Sequence, residues 1–256
     1  MKARLDGKRV AITAGAAGLG LVMVRSFLAA GAFVTVADID PVAVANLPAG
    51  VEGRCLDVAD PDAIAGWLEP FSVVGVDVLV NNAGIAGPTA VVEDVEIDEW
   101  RRCLDVGLNA MFYAARCVVP GMKRSGAGAI INIASTAGLM GMPLRSPYVV
   151  AKHGVIGFTR TLAMELGRDG IRVNAIAPGS LHGDRMERVI AAHASAEGIE
   201  ASAVREMYSQ GVSMATFIDP QDVADLTLYL SSDAGRSISG QVIAVDGNTE
   251  TLYPRR

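Results

Sequence analysis

Cysteine, aromatic residues and excess positive charge are scarce in this sequence, and each shortage argues against a class of protein. Only 3 of the 256 residues are cysteine. Cys55, Cys103 and Cys117 lack metal-site spacing, so we expect core thiols in a reducing cytoplasm and no metal. Aromatic residues make up 5% and the net charge is −6, which argues against a nucleic-acid partner. The longest uncharged run, residues 125–144, contains glycine, proline and asparagine, so we expect no membrane span.

Short apolar segments alternate with helical ones along the whole chain, as in a parallel sheet covered on both faces. The predicted strands are 9–14, 33–37, 76–81, 129–134, 172–177 and 241–245, with 53–56 as a weaker candidate. The predicted helices are 18–30, 61–69, 97–123, 147–166 and 221–231. The pattern predicts an α/β fold, a doubly wound parallel sheet of the Rossmann type. No linker divides it, so we expect one domain over residues 1–256.

Residues 183–213 break this alternation, because a long polar segment of helical composition follows a predicted strand. Segments inserted at the carboxyl ends of such strands commonly cover a ligand. We therefore predict a helical lid over a substrate site, with an exposed helical excursion as the alternative.

A glycine-rich turn links the first predicted strand to the first helix. Its candidate binding residues are Thr13, Gly15, Gly18, Leu19 and Gly20. Glycines permit a tight turn, and the N–H groups of a helix N-terminus bind a pyrophosphate. Asp38 ends the second strand, where a carboxylate accepts hydrogen bonds from an adenosine ribose and repels a 2′-phosphate. The combination predicts NAD rather than NADP, with a solvated strand-end acid as the alternative for Asp38.

Three polar side chains are predicted to lie at the carboxyl edge of the sheet. Tyr148 and Lys152 are four residues apart in a helical segment and therefore share a face. Ser146 and Pro147 are typical of an N-cap and first helical position, which puts Tyr148 in the first turn. A nearby ammonium stabilises phenolate and brings the tyrosine pKa towards a useful range for acid–base chemistry. Ser135 follows a strand, and its hydroxyl can hold a substrate oxygen.

With these motifs and several others, the chain resembles the short-chain dehydrogenase/reductase family over nearly its whole length. The other shared motifs are Cys55-Leu56-Asp57-Val58, Asn81-Asn82-Ala83-Gly84, Arg172-Val173-Asn174, Pro178-Gly179, Ser239-Gly240-Gln241 and Val245-Asp246-Gly247. The resemblance implies that Tyr148 is the acid/base and that Ser135 orients the carbonyl or alcohol. It also implies that Lys152 holds the nicotinamide ribose and lowers the tyrosine pKa.

The same resemblance implies further cofactor contacts and an assembly. Asp57 and Val58 would flank the adenine, and Leu181 would lie beside the nicotinamide carboxamide. The remaining implied cofactor residues are Asn82, Ala83, Gly84, Pro178 and Gly179. A homotetramer is also implied, with helices 97–123 and 147–166 meeting a partner.

Three positions depart from the family pattern. Ala14 stands where the family usually has glycine, and Gly183 where it often has threonine. Gly107 aligns with the family's catalytic asparagine, which holds a water in the proton relay to Lys152. Asn109 lies two residues later and points elsewhere on a helix, so it receives no role. We expect a water beside Gly107 and tolerance of asparagine there. The alternative is a locally rearranged helix or another side chain in that space, with which asparagine would clash.

The substrate site is expected to combine apolar and cationic side chains. Methionines adapt to irregular apolar ligands, with core or lid packing as the alternative. Arginine suits a carboxylate or other anion, with a solvated or intersubunit arginine as the alternative. The tentative substrate contacts are Met140, Met142, Arg145, His182 and Arg185, whereas His193 is expected to be exposed and receives no role.

The favoured interpretation is an NAD-dependent oxidoreductase that interconverts a secondary alcohol and a ketone, with Tyr148 as the acid/base. The binding partner of such an enzyme is its small-molecule substrate, an alcohol or a ketone. The alternative is a catalytically weakened NAD(H)-binding sensor, which Gly107 motivates. A methyltransferase shares the sheet class but leaves the Tyr148–Lys152 pair unexplained.

Overall fold

The computed structural model describes residues 4–252 and contains one parallel sheet of seven strands. The strands are β1 (Arg9–Thr13), β2 (Phe33–Asp38), β3 (Val51–Cys55), β4 (Val78–Asn81), β5 (Gly128–Ile133), β6 (Ile171–Pro178) and β7 (Val242–Val245). Their spatial order is β3-β2-β1-β4-β5-β6-β7. This confirms the predicted doubly wound sheet, whose order reverses between β1 and β4, where such sheets bind ligands. The domain prediction for 1–3 and 253–256 lies outside the described residues.

The connections between strands are mostly helical. The helices are α1 (Gly18–Ala29), α2 (Pro41–Ala45), α3 (Pro61–Leu68), α4 (Phe71–Val74), α5 (Ile97–Leu104), α6 (Ala110–Ser125), α7 (Ser146–Leu166), α8 (Asp184–Glu197), α9 (Ala201–Gln210) and α10 (Pro220–Ser231). The short helices α2 and α4 were missed by the sequence analysis. A local signal for α2 exists, because Asp40 accepts from the N–H groups of Val42 and Ala43 and Pro41 follows it, a capping pattern typical of helix starts.

Both faces of the sheet are covered by apolar side chains. Phe27 of α1 and Leu230 of α10 are fully buried on one face. Trp67 of α3 and Met122 of α6 are buried on the other. Strands covered on both sides are apolar at most positions, which is why their sequences are nearly continuous apolar runs rather than alternating ones.

The single helix predicted over 97–123 is wrong in one respect, because it is interrupted. Residues Asp105–Asn109 form a π-helical turn between α5 and α6. A π turn adds one residue to the helical repeat and therefore rotates the following side chains around the axis. Gly107 lies at its centre and is buried.

The N-terminus of α7 also differs from the prediction. The helix begins at Ser146, so its N-cap is Arg145 (φ −133°, ψ 29°) and not Ser146. The Ser146 hydroxyl is buried and makes no capping hydrogen bond. Leu144, just before the N-cap, adopts a left-handed φ of 63°, and its carbonyl accepts from the Ala90 N–H at 3.0 Å. Tyr148 still lies in the first turn.

A buried chain of hydrogen bonds holds α7 against the sheet. The Asn81 amide on β4 donates to Asn132 Oδ1 on β5 at 2.8 Å. The Asn132 amide in turn donates to Thr159 Oγ1 at 2.9 Å. Thr159 completes the chain by donating to the Val155 carbonyl within α7 at 2.8 Å. Buried polar groups are costly unless they are hydrogen-bonded, so this series of hydrogen bonds favours a single position of α7 on the sheet.

Residues 183–213 contain α8 and α9, which pack on each other through a small apolar cluster. Its buried members are Ile190, Ala194, Val204 and Tyr208. Both ends of the segment are tied together, because Leu181 pairs in parallel with Ile218. Met142, in the segment after β5, packs against the same cluster.

His193 is buried in this cluster, so the expectation that it is exposed is wrong. It is 5% exposed, and its Nδ1 lies 3.3 Å from the Tyr208 hydroxyl. Its Nε2 lies 3.6 Å from Glu197. The histidine completes the packing between α8 and α9, which the polar composition of this segment did not reveal.

The expectation of core thiols holds for Cys103 and in part for Cys117, which packs against the core, but not for Cys55. Cys103 is buried, Cys117 is partly buried and Cys55 is exposed, and none of them forms a disulfide. Within residues 4–252, no group of three or more His, Cys, Asp or Glu side chains could hold a metal ion. In the same range, no helix is long and apolar enough to cross a membrane.

The buried hydrogen-bond chain generates a stability prediction. Thr159→Val preserves shape but leaves the Asn132 amide without its acceptor, so the free energy of unfolding should fall by about 1–3 kcal/mol. Thr161→Val, at an exposed position of the same helix, should change it by less than about 0.5 kcal/mol. Urea titration of the two variants and the wild type measures the free energy of unfolding. Equal effects of the two substitutions would contradict the structural role of the hydrogen-bond chain.

Candidate active site

The turn after β1 has two positions where neighbouring atoms leave no room for a side chain. A Cβ at Gly20 would lie 2.0 Å from the Ala14 carbonyl oxygen. A Cβ at Gly15 would lie 2.8 Å from a methyl group of Val36. Both positions therefore require glycine, while Gly18, the first residue of α1, uses glycine for its φ of 51°.

Ala14 occupies the left-handed region, with φ 51°. A side chain there costs about 1–2 kcal/mol relative to glycine, so the departure from the family pattern is a local strain. The Ala14 N–H donates to the Ala37 carbonyl at 2.7 Å, which holds the strained residue at the edge of β2.

The N-terminus of α1 fits the pyrophosphate of a dinucleotide. Its N-cap is Ala17, no side chain caps it, and its first turn contains no acidic residue. The first N–H groups of a helix lack intrahelical partners and lie at the positive end of the helix dipole. Such an end binds phosphate groups. Leu19 packs against the core beside it, which anchors the helix start.

Asp38 lies beside this turn. It is 8% exposed, and its Oδ2 accepts from the Ala16 N–H at 2.9 Å. Its Oδ1 accepts from the Asp40 N–H at 3.2 Å. The two bonds hold a negative charge in place against the glycine turn.

Thr13 and Asn82 join the carboxyl ends of β1 and β4. The Thr13 hydroxyl accepts from the N–H groups of Asn82 and Ala83, both at 3.0 Å. The Asn82 amide donates to the carbonyls of Thr13 and Ala14 at 3.2 and 2.9 Å. These predicted cofactor residues thus hold the glycine turn at the point where the strand order reverses.

Asp57 is engaged by Arg102, which the sequence analysis missed. Arg102 Nη1 lies 2.7 Å from Asp57 Oδ2, and the Ala59 N–H donates to Oδ1 at 3.0 Å. Burial raises the pKa of Asp57, but Arg102 and the Ala59 N–H outweigh it and lower that pKa. The pair ties α5 to the loop after β3, where the neighbouring Val58 is buried.

Ser135, Tyr148 and Lys152 are brought together at the carboxyl end of β5. The Ser135 hydroxyl accepts from the Ala137 N–H at 3.1 Å. Lys152 is 3% exposed, and its ammonium donates to the Ile133 carbonyl at 2.8 Å. Lys152 Nζ lies 5.8 Å from the ring centroid of the partly buried Tyr148. The predicted juxtaposition of these three side chains is present.

The charges around Tyr148 lower the pKa of its phenol. Burial raises the pKa of its phenol, but the positive charge of Lys152 and of two arginines, with the hydrogen bond to Ser135, outweighs burial and lowers that pKa. The pKa of Lys152 is lowered as well, chiefly by burial, although the phenol opposes that shift. Opposite charges on the two groups therefore stabilise each other in a poorly solvated place.

Two glycines leave room for Lys152. A Cβ at Gly84 would lie 3.3 Å from the Lys152 ammonium. A Cβ at Gly138 would lie 2.7 Å from the Lys152 carbonyl oxygen. Gly84 was predicted as a cofactor residue, whereas the need for glycine at 138 arises only once α7 is packed against the turn after β5.

Gly107 faces α7 directly, so an asparagine there requires its neighbour on α7 to yield by a few tenths of an ångström. The expected water stays a prediction. A Cβ at Gly107 would lie 3.3 Å from the methyl group of Ala151. Ala151 is 1% exposed and immediately precedes Lys152. The Asn109 amide donates to Asp105 Oδ1 at 2.8 Å, so it is engaged within the π turn.

Arg145, Arg185 and Arg188 line one cavity of about 250 Å³, which we name the arginine cavity. Its other walls are residues 84–87, Thr89 and two small residues of α8. Arg145 is 4% exposed, and its guanidinium carbon lies 5.5 Å from the Tyr148 ring centroid. Arg188 was not predicted as a substrate contact, although the predicted helical character of 183–213 already places it one turn from Arg185.

The other tentative substrate residues lie elsewhere. Met142 packs against the α8–α9 cluster, and Met140 is partly buried. The His182 ring tilts against Phe217 with centroids 5.6 Å apart. None of the three residues is among the described walls of the arginine cavity.

The segment after β6 has a backbone that requires glycine. β6 ends at Pro178, and a Cβ at Gly179 would lie 2.9 Å from the Asp246 Cα. Gly183 has φ 131°, which side-chain-bearing residues rarely adopt. That conformation explains why threonine is absent here, and it starts α8 shortly after the Leu181 bridge.

The fold and these site features together define a Rossmann-type protein of the nicotinamide-dependent class. The family model for enoyl-(acyl carrier protein) reductase matches residues 14–248. The chain belongs to the short-chain dehydrogenase/reductase family. The family and fold imply a nicotinamide cofactor.

Two curated relatives match almost the entire chain. D-beta-hydroxybutyrate dehydrogenase of Rhizobium meliloti (strain 1021) is 36% identical, with 94% of this chain and 97% of the relative covered. The 3-oxoacyl-[acyl-carrier-protein] reductase FabG of Thermotoga maritima is 34% identical, with 95% and 98% covered. Their names support an oxidoreductase function for this chain.

Two solved structures share the fold closely. NAD+-bound xylitol dehydrogenase superposes with a TM-score of 0.90 at 25% identity, with 95% of this chain and 99% of that chain covered. Levodione reductase gives a TM-score of 0.87 at 29% identity, with 95% and 98% covered.

The contact between Gly107 and Ala151 generates a second prediction. Gly107→Asn should lower turnover and thermal stability, because its Cβ pushes α7 and with it Lys152; overpacking of this kind costs about 1–3 kcal/mol. Adding Ala151→Gly removes the opposing methyl group, so the double variant should recover part of both losses. A double-mutant cycle, with Ala151→Gly alone as the control, measures the coupling. Additive effects would show that the methyl contact does not restrict position 107.

Proposed function

We propose that this protein is an NAD-dependent oxidoreductase that interconverts a secondary alcohol and a ketone. The observation that carries the proposal is the meeting of Tyr148 and Ser135 with the buried Lys152 at the carboxyl end of β5. The uncapped N-terminus of α1 lies at the same edge of the parallel sheet. A proton-transfer group and a dinucleotide site therefore share one edge.

In this proposal the protein supplies proton transfer and orientation. A bound nicotinamide supplies the hydride acceptor or donor. The Tyr148 phenolate accepts the alcohol proton during oxidation, and the phenol returns it during reduction. The Ser135 hydroxyl orients the substrate oxygen, while Lys152 stabilises the phenolate and holds the nicotinamide ribose.

The choice of NAD rests on Asp38. Its carboxylate is fixed beside the glycine turn, where it accepts hydrogen bonds from ribose hydroxyls and repels a 2′-phosphate. Neither Ala17 nor Ala37 offers a compensating cation. The remaining proposed cofactor residues are Thr13, Gly15, Gly18, Leu19, Gly20, Asp57, Val58, Asn82, Ala83, Gly84, Pro178, Gly179 and Leu181.

We further propose that residues 1–256 act as one domain in a cytoplasmic homotetramer, with 183–213 as the substrate lid. Packing of Met142 against the α8–α9 cluster supports the lid. Exposed apolar side chains on α5, α6 and α7, namely Ile97, Phe112 and Val150, support an intersubunit surface. The unpaired cysteines are compatible with a reducing compartment.

A catalytically weakened NAD(H) sensor is the second candidate, and Gly107 favours it. Gly107 stands where the family has asparagine, and a side chain at this position would contact Ala151. The three reactive side chains would then bind cofactor without turnover. A screen of ketones with NADH, and of alcohols with NAD, distinguishes the two candidates.

The role of Asp38 gives a third prediction. Asp38→Ala should lower the ratio of kcat/KM for NAD to kcat/KM for NADP by about 10- to 100-fold, as expected for losing hydrogen bonds to a charged group. Asp62→Ala removes a carboxylate elsewhere, at an exposed position of α3, and should leave the ratio unchanged. A wild type that prefers NADP would refute the assignment.

The role of Tyr148 gives a fourth prediction. Tyr148→Phe keeps the ring but removes the proton, so turnover should fall by at least about 100-fold, while fluorescence titration should still detect NADH binding. Tyr229→Phe, on the exposed face of α10, is the matched control. Near-normal turnover in Tyr148→Phe would remove Tyr148 from the mechanism.

The pKa of Tyr148 determines how the rate of alcohol oxidation by the wild type should depend on pH. Alcohol oxidation needs the phenolate, so its rate should rise with pH. The midpoint should lie below the ordinary tyrosine pKa of about 10, because Lys152 and the neighbouring arginines lower the pKa of Tyr148. Arg185→Gln removes one of those charges and should move the midpoint upwards.

A further inference from the structure

The arginine cavity concentrates positive charge without an acidic partner. Arg145, Arg185 and Arg188 line it, and its described walls include no Asp or Glu. None of the ion pairs found within residues 4–252 involves these three arginines. A cavity of one charge sign attracts ligands of the opposite sign.

Arg145 is the buried member of the three. Its Nη2 donates to the Ala86 carbonyl at 2.8 Å and its Nη1 to the Thr89 hydroxyl at 3.3 Å. Its Nε is buried and has no hydrogen-bond partner. Burying a cation without a counter-charge is costly. A guanidinium that keeps an unused donor in such a place is suited to an anionic ligand.

The cavity adjoins the reactive side chains. The Arg145 guanidinium carbon lies 5.5 Å from the Tyr148 ring centroid. Gly84, another wall of the cavity, is the residue whose added Cβ would lie 3.3 Å from the Lys152 ammonium. A group bound to Arg145 would therefore lie only a few bonds from a carbonyl held at the Tyr148 hydroxyl.

We infer that the substrate is a short hydroxy or oxo acid whose carboxylate binds to Arg145 in the arginine cavity. This inference rests on the proposed oxidoreductase function and specifies its substrate class. Arg185 and Arg188 are exposed at the start of α8. They attract the anion and complete its coordination at the mouth of the cavity. A neutral ketone or an acyl thioester would leave the buried cation without a counter-charge.

Arg145 also connects the 86–89 loop to the start of α7. The experiment must therefore distinguish a structural role of Arg145 from a role in substrate binding. A structural role would affect every substrate alike. A carboxylate-binding role would affect acids and spare their neutral isosteres. Arg145→Lys keeps the charge but loses the planar fork, so it should retain part of the acid activity.

The test compares acids with matched neutral substrates. Acetoacetate and 4-oxopentanoate are assayed with NADH beside their primary amides and beside the N-acetylcysteamine thioester of acetoacetate. The wild type should prefer the acids in kcat/KM. Arg145→Gln should lower kcat/KM for the acids by about 10- to 100-fold, as for a lost charged hydrogen bond, mainly through KM. The same variant should change the amides by less than about threefold, since no comparable bond is lost.

Arg168→Gln is the matched control. Arg168 is exposed just beyond the C-terminus of α7, outside the proposed lid, and is not among the walls of the cavity. It should leave the acid preference unchanged. Equal loss on acids and amides in Arg145→Gln, or a wild-type preference for the amides or the thioester, would overturn the substrate class while leaving the proposed oxidoreductase activity standing.

A binding measurement separates this inference from the proposed function. Malonate is titrated by calorimetry into the NADH-loaded wild type and the NADH-loaded Arg145→Gln variant at constant ionic strength. Binding that the variant loses supports the anion site even if no ketone is reduced, an outcome that would remove only the proposed function. Absence of malonate binding to the wild type, or equal binding to both proteins, would overturn the anion site.

Discussion

A buried ammonium group organises the half of this protein that carries the candidate active site. Lys152 is 3% exposed and donates to the Ile133 carbonyl at the end of β5. An amine in such a place needs polar partners, because burial without them is costly. The surrounding chain accommodates it: Gly84 and Gly138 carry no side chain where one would approach Lys152. The hydrogen bond from Asn132 to α7 secures the helix that carries it.

Local charge differs from global charge in this molecule. The chain as a whole is acidic, with net charge −6, yet Lys152, Arg145 and Arg185 all lower the pKa of Tyr148. Electrostatic effects weaken with distance and with solvent screening, so a partly buried phenol responds mainly to the few charges beside it. The same positive charges disfavour further cations, which is why Arg185 lowers the pKa of Arg145 in addition to burial.

The three departures from the family pattern have distinct backbone explanations. Ala14 accepts a left-handed φ of 51° and the strain that a side chain brings to it. Gly183 adopts φ 131°, which threonine would rarely reach. Gly107 lies within a π turn and against Ala151. The first departure adds strain to the turn, whereas the other two follow from where α8 begins and how closely α7 packs.

Periodicity and motif spacing were sufficient for the doubly wound sheet, for most helices and for the convergence of Tyr148, Lys152 and Ser135. These features follow from local patterns, because parallel strands end at one edge and residues four apart share a helix face. Helix caps and short helices were less predictable, as Arg145 and α2 show.

Several decisive contacts arose only in the folded chain. Arg102 meets Asp57, Ala151 meets Gly107, and the π turn separates α5 from α6. Short repeating patterns in the chain specify the class of fold and the side chains of the candidate site. Which charges share a cavity and which donors remain unpaired depends on contacts between residues far apart in the chain, so these features emerge only on folding.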